Sequence, residues 1–222
     1  TSTVDTILNS ASNFSSFDTS NIKLWLDSNN IDALNNKYTS SSDPISKWFD
    51  LSGNTNDAIQ NSSSAKPIKA SSGISFDGSN DSLYIPNNSA MNHSNYSLFI
   101  VFKPNGIPNE KWKGIFGKPG RNYNIWLNKD SYIHHRFRTS SNTNDGTNDA
   151  YGVSFEHTNI VNISHSGSTA FTYINGSLVA SNSKSEQIPV SGTTYIARNL
   201  DGNSGNHFKG DIFEIILIDK VL

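Results

Sequence analysis

The segment 112–138 concentrates residue types that bind sugars in proteins. A pyranose ring needs an aromatic surface for its apolar face and planar polar groups for its hydroxyls. The segment supplies both kinds of group, at Trp112, Arg121, Tyr123, Trp126, His134, His135, Arg136 and Arg138. Because side chains alternate along a strand, His134, Arg136 and Arg138 share one face. That face is either an ordinary solvated strand face or a cationic groove for an acidic glycan.

The same residue types raise the question of catalysis. Retaining glycosidases need two carboxyl groups ~5–5.5 Å apart, and no such cluster is recognisable; Glu214 and Asp219 are five residues apart and point to opposite faces of a strand. Polysaccharide lyases use Arg, His, Tyr and an amide, and the segment contains these types, but no lyase motif accompanies them. The His residues lack zinc-ligand spacing. We therefore expect no enzymatic activity, with a polysaccharide lyase or glucanase as the alternative.

The overall composition favours many short strands. The chain has 222 residues, 30 of them Asn, 36 Ser and only four Glu, and it has no Cys. Asn and Ser compete with helical hydrogen bonds and favour turns. A net charge of −2 gives no basic stripe for nucleic acid, and no apolar run reaches the ~18 residues of a membrane helix. We therefore expect neither nucleic-acid binding nor membrane insertion.

Hydrophobic runs separated by turn residues predict an all-β sandwich of about a dozen strands. Residues 1–20 are interpreted as an N-terminal lead or linker, and 21–222 as one domain. An Asp77-Gly78 turn between two apolar runs indicates a hairpin. The run at 210–222 predicts a strand buried on both faces, and Glu214 within it should be buried with a hydrogen-bond partner or face an opening in the sheet.

Several of these motifs resemble the laminin-G and pentraxin type of jelly roll in the concanavalin A-like superfamily. The motifs are Trp25-Leu26-Asp27, Trp48-Phe49-Asp50, Phe76-Asp77-Gly78, Ile174-Asn175-Gly176 and Gly210-Asp211-Ile212. We expect Asp77, Asp81 and Asn175 to fix turns and Trp25 and Trp48 to lie in the core. The resemblance implies a non-catalytic carbohydrate-recognition module of a larger secreted, cell-surface or virion protein. A protein–protein adhesion module is the alternative, because laminin-G-like domains also bind proteins.

The resemblance also implies where a ligand would bind. Pentraxin-type domains often bind calcium through two loops, which correspond here to 120–124 and 198–201. Asn122, Asn199 and Asp201 are the candidate calcium ligands, although calcium prefers several carboxylates and this set has one. No cofactor is strictly required. The candidate ligand-binding residues, with Arg198 added from the second loop, are Trp112, Arg121, Tyr123, Trp126, His134, Arg136 and Arg198.

Overall fold

A computed structural model describes residues 19–108, 112–139, 146–183, 186–199 and 206–222 of the chain. Three short 3₁₀-helices occur in these residues, at Thr19–Asn21, Ser63–Ala65 and Ser89–Met91. The strands are β1 (Ile22–Asp27), β2 (Lys47–Trp48), β3 (Ala58–Ile59), β4 (Ile68–Lys69), β5 (Ile74–Asp77), β6 (Leu83–Ile85), β7 (Tyr96–Pro104), β8 (Lys113–Gly117), β9 (Asn124–Asn128), β10 (Tyr132–Phe137), β11 (Gly146–Tyr151), β12 (Asn159–Ser166), β13 (Thr169–Ile174), β14 (Ser177–Ser183), β15 (Thr194–Ile196), β16 (Arg198–Asn199), β17 (Asn206–His207) and β18 (Lys209–Ile218). Strands beyond the predicted dozen have mostly two or three residues.

The strands form two sheets packed face to face. The first sheet has the order β14-β13-β12-β7-β18-β5-β4, and β1 also pairs with β18. The second has the order β11-β10-β9-β8-β15-β6-β3-β2, and β17 joins it by a parallel pairing with β8. Many neighbours are far apart in sequence, as in a jelly roll. The prediction of an all-β, largely antiparallel jelly-roll sandwich is confirmed.

The final strand, β18, lies in the interior of the first sheet, where it pairs with β1, β5 and β7. Ile212 and Leu217 are fully buried in the core between the sheets. Its pairing with β7 shifts register between Ile212 and Glu214, as at a β-bulge. Phe213 and Ile216 are only half-buried. The strand is therefore buried on one face and partly covered on the other, not buried on both as predicted.

Two of the tryptophans differ in their environments. Trp48 is fully buried and donates its indole Nε1 proton to the carbonyl oxygen of Asp27, which confirms the prediction that it lies in the core. Trp25 is half-buried, so the prediction of a core position is wrong for it. Its indole reaches Glu214 on β18, which is 4% exposed and so has the hydrogen-bond partner that the sequence required.

The predicted turn residues hold their turns by side-chain to backbone hydrogen bonds. Asp77 Oδ1 accepts the backbone N–H of Ser79 at 2.8 Å, and Asp81 Oδ2 accepts that of Asp77 at 3.0 Å. Asn175 has a positive φ of 51° and accepts the backbone N–H of Ile160. These bonds confirm the assignment of the three residues to turns. The hairpin predicted at Asp77-Gly78 is wrong, because the chain crosses between the sheets there: β5 pairs with β4 and β18 in the first sheet, whereas β6 pairs with β3 and β15 in the second.

The edge strands β11 and β14, one from each sheet, lie against each other along one side of the sandwich. Asn182 on β14 donates to the carbonyl oxygen of Thr147 at 2.6 Å. Asn148 on β11 donates to the carbonyl oxygen of Ala180 at 3.2 Å. The two sheets are thus joined along this side by side-chain amides.

The N-terminal lead lies almost entirely outside the described residues, which begin at Thr19. No helix in the described part of the chain is long and apolar enough to cross a membrane.

Candidate functional site

The strands β9, β10 and β11 position the candidate residues on the outer side of the second sheet. Ile125 and Leu127 on β9 and Ile133 on β10 belong to the core between the sheets. Because side chains alternate, Trp126 and His134 point to the opposite side. They are directly paired across the two strands, so they lie next to each other.

Four rings pack together on this side of the sheet. Trp112, in the segment before β8, lies 4.4 Å from the ring of His134, 6.0 Å from Trp126 and 6.3 Å from Tyr132, measured between ring centroids. Trp126 and His134 stack at 5.4 Å. Tyr132 contacts Tyr151 of β11 at 4.8 Å. These five residues, Trp112, Trp126, Tyr132, His134 and Tyr151, are called the aromatic face below.

The rings of the aromatic face differ in accessibility. Trp126 is 4% exposed and His134 is 5% exposed, because Trp112 packs against both. Trp112 is half-buried, and Tyr151 is 60% exposed. The surface available to a ligand is therefore formed by Trp112 and Tyr151, with Trp126 supporting it from below. Sequence reasoning included Trp112 and Trp126 but missed Tyr151, although its alternation with Asp149 along one strand is visible in the sequence.

His134 is held in place by a carboxylate. Its Nδ1 is hydrogen-bonded to Asp149 Oδ1 on the neighbouring strand β11. In the neutral ring, a donating Nδ1–H leaves Nε2 without a proton, and Nε2 has no hydrogen-bond partner among the described residues. Burial lowers the pKa of His134; Asp149 raises it, and Arg136 and Arg121 lower it further. The buried ring is thus neutral and oriented by Asp149.

His135, next along β10, points into the core as the alternation predicts. It is fully buried, and its Nε2 lies 2.9 Å from Tyr96 Oη. Because Tyr96 donates to Gln187 Oε1, the His135 nitrogen is the donor of the bond they share. His135 is therefore a core residue and plays no part in the aromatic face.

Arginines lie around the aromatic face. The Arg136 guanidinium lies 5.7 Å from the ring centroid of Trp126, within cation–π range. The backbone carbonyl of Arg121 accepts the N–H of Arg138, which brings the Arg121 loop beside the end of β10. Arg198 lies on β16, with its guanidinium 5.9 Å from the ring of Tyr195. The structure thus places Arg121, Arg136 and Arg198 on or beside the second sheet.

Gly114 explains why Arg198 reaches this position. A Cβ atom at Gly114 would lie 2.4 Å from both the carbonyl carbon of Arg198 and the nitrogen of Asn199. Only a residue without a side chain lets β16 lie this close to β8. Gly114 is also paired with Trp126 across β8 and β9, so the approach of β16 brings Arg198 to the margin of the aromatic face.

Tyr123 does not belong to the candidate site. Its ring is fully buried, its hydroxyl donates to the carbonyl oxygen of Met91, and burial raises the pKa of that hydroxyl. Alternation continued back from Ile125 and Leu127, which are core residues, also places Tyr123 on the core side. The prediction that Tyr123 stacks on a sugar is therefore wrong.

The predicted calcium ligands do not come together in the described residues. Asn122 follows the turn at the end of β8 and donates to the carbonyl of His93, and its Oδ1 is buried without a hydrogen-bond partner among the described residues. Asn199 lies beside Gly114, near the start of β8, and donates to the carbonyl of Trp112. Four residues of strand separate these positions by about 13 Å, whereas calcium ligands lie ~2.3–2.6 Å from the ion. The two amides therefore do not form one site, and no acidic or histidine cluster suited to a metal occurs in the described part of the chain. Asp201 lies outside the described residues, so calcium at its loop stays a prediction.

Solved structures of similar fold come from several larger proteins. A Trypanosoma rangeli sialidase in complex with sialic acid aligns with a TM-score of 0.62 and 13% identity, over 92% of this chain and 32% of that one. The binding domain of Paraclostridial Mosquitocidal Protein 1 aligns with a TM-score of 0.62 and 16% identity, over 92% and 50%. The ligand-binding domain of Botulinum neurotoxin serotype D, in complex with N-acetylneuraminic acid, aligns with a TM-score of 0.62 and 14% identity, over 92% and 48%. The chain thus spans between about a third and a half of these structures, and at such identities the likeness shows the fold alone.

Sequence comparison identifies the family. No curated protein matches the chain significantly. The family model described as the concanavalin A-like lectin/glucanases superfamily matches residues 77–222, which include all the strands of the aromatic face. The chain therefore belongs to the concanavalin A-like lectin/glucanases superfamily.

Proposed function

We propose that the chain is a non-catalytic carbohydrate-recognition module and that the aromatic face is its binding surface. The observation that carries the proposal is that two accessible rings, Trp112 and Tyr151, lie on the aromatic face together with Trp126, whose ring centroid is 5.7 Å from the Arg136 guanidinium. Rings stack on the apolar face of a sugar, and planar guanidinium groups bind hydroxyls or a carboxylate in pairs.

The burial of His134 favours binding over catalysis. Tyr132, His134 and Arg136 share one side of β10 with Asn128 of β9 beside them, an arrangement with the group types of a uronate lyase. A lyase must bring such groups within hydrogen-bond reach of the sugar. Here His134 is 5% exposed under Trp112 and bonded to Asp149, and Tyr132 is 9% exposed. A lyase activity is the second candidate function, and the arrangement of Tyr132, His134 and Asn128 is what favours it.

We also propose that the module belongs to a larger secreted, surface or virion protein. Among the similar structures are domains of two larger toxins, whose names describe them as binding domains. A single shallow sugar site has a dissociation constant on the order of 0.1–1 mM. Useful affinity then requires several copies on one particle or surface. A partner protein in place of a glycan remains the alternative for the same surface.

The test is a glycan array probed with a multivalent form of the chain, followed by titration of the best glycan. We expect Trp112→Ala to weaken binding about tenfold, the equivalent of about 1.4 kcal/mol, and Tyr151→Ala to weaken it less. Tyr173→Ala is the matched control, because Tyr173 is a half-buried tyrosine on β13 of the other sheet. Loss of binding in the control with retention in Trp112→Ala would place the site elsewhere. Steady production of unsaturated uronate from a polyuronate, abolished in His134→Ala, would instead establish the lyase.

A further inference from the structure

A cleft of about 460 Å³ opens at the rim of the second sheet, next to the aromatic face. The loop after β7 lines one part of it through Gly106 and Pro108. Lys113, at the start of β8, lines another part, and His207 and Lys209 line the rest. Trp112 directly precedes Lys113, so the cleft opens beside the strand end that follows Trp112. Lys113 is paired with the core residue Leu127, so its side chain lies on the inner side of the sheet and the aromatic face on the outer side. A volume of this size is within the range of small-ligand pockets, roughly 300–1,000 Å³.

His207 presents an unsatisfied polar atom in this cleft. The residue is 8% exposed, and its Nδ1 has no hydrogen-bond partner among the described residues. It is fixed by its strand pairings, antiparallel with Arg198 and parallel with Gly114. A buried polar atom without a partner carries a cost in free energy. A ligand oxygen that bonded to it would recover part of that cost.

The groups around His207 make the rim cleft cationic. Lys113 and Lys209 line it, and Arg198 is paired with His207 across β16 and β17. Burial lowers the pKa of His207, and Arg198 and Lys113 lower it further, whereas Asp77 raises it. The Asp77 carboxylate is occupied in its turn, where it accepts backbone N–H groups that include that of Ser79. Among the described residues, Lys209 and Arg198 bring positive charge to His207, whereas the Asp77 carboxylate is engaged in its turn, and this balance favours an anionic ligand.

We infer that the rim cleft is a subsite for the carboxylate or sulfate group of an acidic sugar whose neighbouring ring lies against Trp112. The inference deepens the proposed carbohydrate-binding function and rests on it. A bound anion would accept hydrogen bonds from the ammonium group of Lys209 and from His207. It would also favour the protonated form of His207, so binding should tighten as the pH falls through the pKa of His207.

The test compares acidic sugars with neutral counterparts at constant ionic strength. The probes are N-acetylneuraminic acid, glucuronic acid and glucose 6-sulfate, with glucose as the neutral sugar and sodium sulfate as the free anion, titrated by NMR. We expect at least one acidic sugar to bind tenfold or more tightly than glucose. Lys209→Ala should reduce this ratio to below about threefold, and Lys209→Arg should restore it. Lys220→Ala is the matched control, since this exposed lysine lies beyond the other end of β18, about 30 Å away.

Each remaining outcome decides against part of the inference. Equal binding of acidic and neutral sugars, with loss in Trp112→Ala, would overturn the anion subsite and keep the proposed function. Sodium sulfate binding as tightly as the acidic sugars would make the cleft a free-anion site and overturn the assignment to a sugar. Binding of no sugar, in these titrations and on the array, would overturn both proposals.

Discussion

The indole Nε1 of Trp25 donates a hydrogen bond to Glu214 Oε1 at 3.0 Å, joining β1 to β18. Glu214 interrupts an otherwise apolar strand, and at 4% exposure its carboxylate depends on such partners. We predict that Glu214→Ala lowers the free energy of unfolding by about 1–3 kcal/mol, because it leaves the indole N–H without its acceptor. Urea unfolding measures this change in the free energy of unfolding. Glu214→Gln keeps an acceptor oxygen and should cost less, and Asp211→Ala, on the same strand, should change stability by no more than ~0.5 kcal/mol. Equal losses in Glu214→Ala and Asp211→Ala would contradict the assigned role.

The buried histidines predict acid sensitivity. His165 is fully buried, its ring packs against Tyr96 and Phe137, and neither nitrogen has a hydrogen-bond partner among the described residues. Burial lowers its pKa to about 4, and burial also lowers the pKa of the nearby His135 well below its usual value. The unfolded chain then binds more protons between pH 6.5 and 4, so stability is full above pH 6.5 and falls as the pH drops towards 4.

The substitution His165→Leu isolates this effect, because it replaces the ring with an apolar side chain that does not titrate. We expect a shallower fall in melting temperature between pH 6.5 and 4 than in the unsubstituted chain. His157→Gln, at an exposed loop histidine, should leave the pH profile unchanged. An identical profile in all three proteins would show that His165 makes no contribution.

The close approach of β16 to Gly114 predicts that backbone packing and glycan binding are coupled. Gly114→Ala would place a methyl group 2.4 Å from the Arg198–Asn199 peptide, so β16 must move away from β8. We expect a loss of stability of about 1–3 kcal/mol and weaker glycan binding, because Arg198 moves with β16. Gly73→Ala is the milder control: its Cβ would lie 3.0 Å from the Phe213 ring, next to β5 of the first sheet. Tyrosine and tryptophan fluorescence during urea unfolding, together with sugar titration, measures both effects. Normal binding by a destabilised Gly114→Ala would separate β16 from the site.

Calcium binding is tested by comparing the melting temperature of the protein in millimolar calcium with that in chelator. If the loop at 198–201 holds the ion, calcium should raise the melting temperature by linkage, and Asp201→Ala should remove the rise. The separation of Asn122 from Asn199 predicts that Asn122→Ala leaves any rise unchanged. Identical melting curves in calcium and chelator would end the calcium hypothesis.

The sequence predicted those features that depend on local chemistry. The Asp77 turn and the partnered Glu214 follow from short-range rules of turns and burial, and both are confirmed. Tyr123 was misplaced because the resemblance assigned it to a ligand loop, whereas alternation with Ile125 and Leu127 puts its ring in the core. The covering of Trp126 by Trp112 and the meeting of His207 with Lys113 depend on pairings between distant strands, which no short-range rule supplies.

The contact between the edge strands β11 and β14 affects how copies of this domain behave when they lie close together. Open strand edges are templates for pairing between molecules. Here β11 and β14 lie against each other, and the amides of Asn182 and Asn148 bridge them at the carbonyl oxygens of Thr147 and Ala180, so each edge covers the other. Weak multivalent attachment requires several copies side by side on one surface. Such copies can therefore remain separate, because strand pairing between molecules does not start at these two edges.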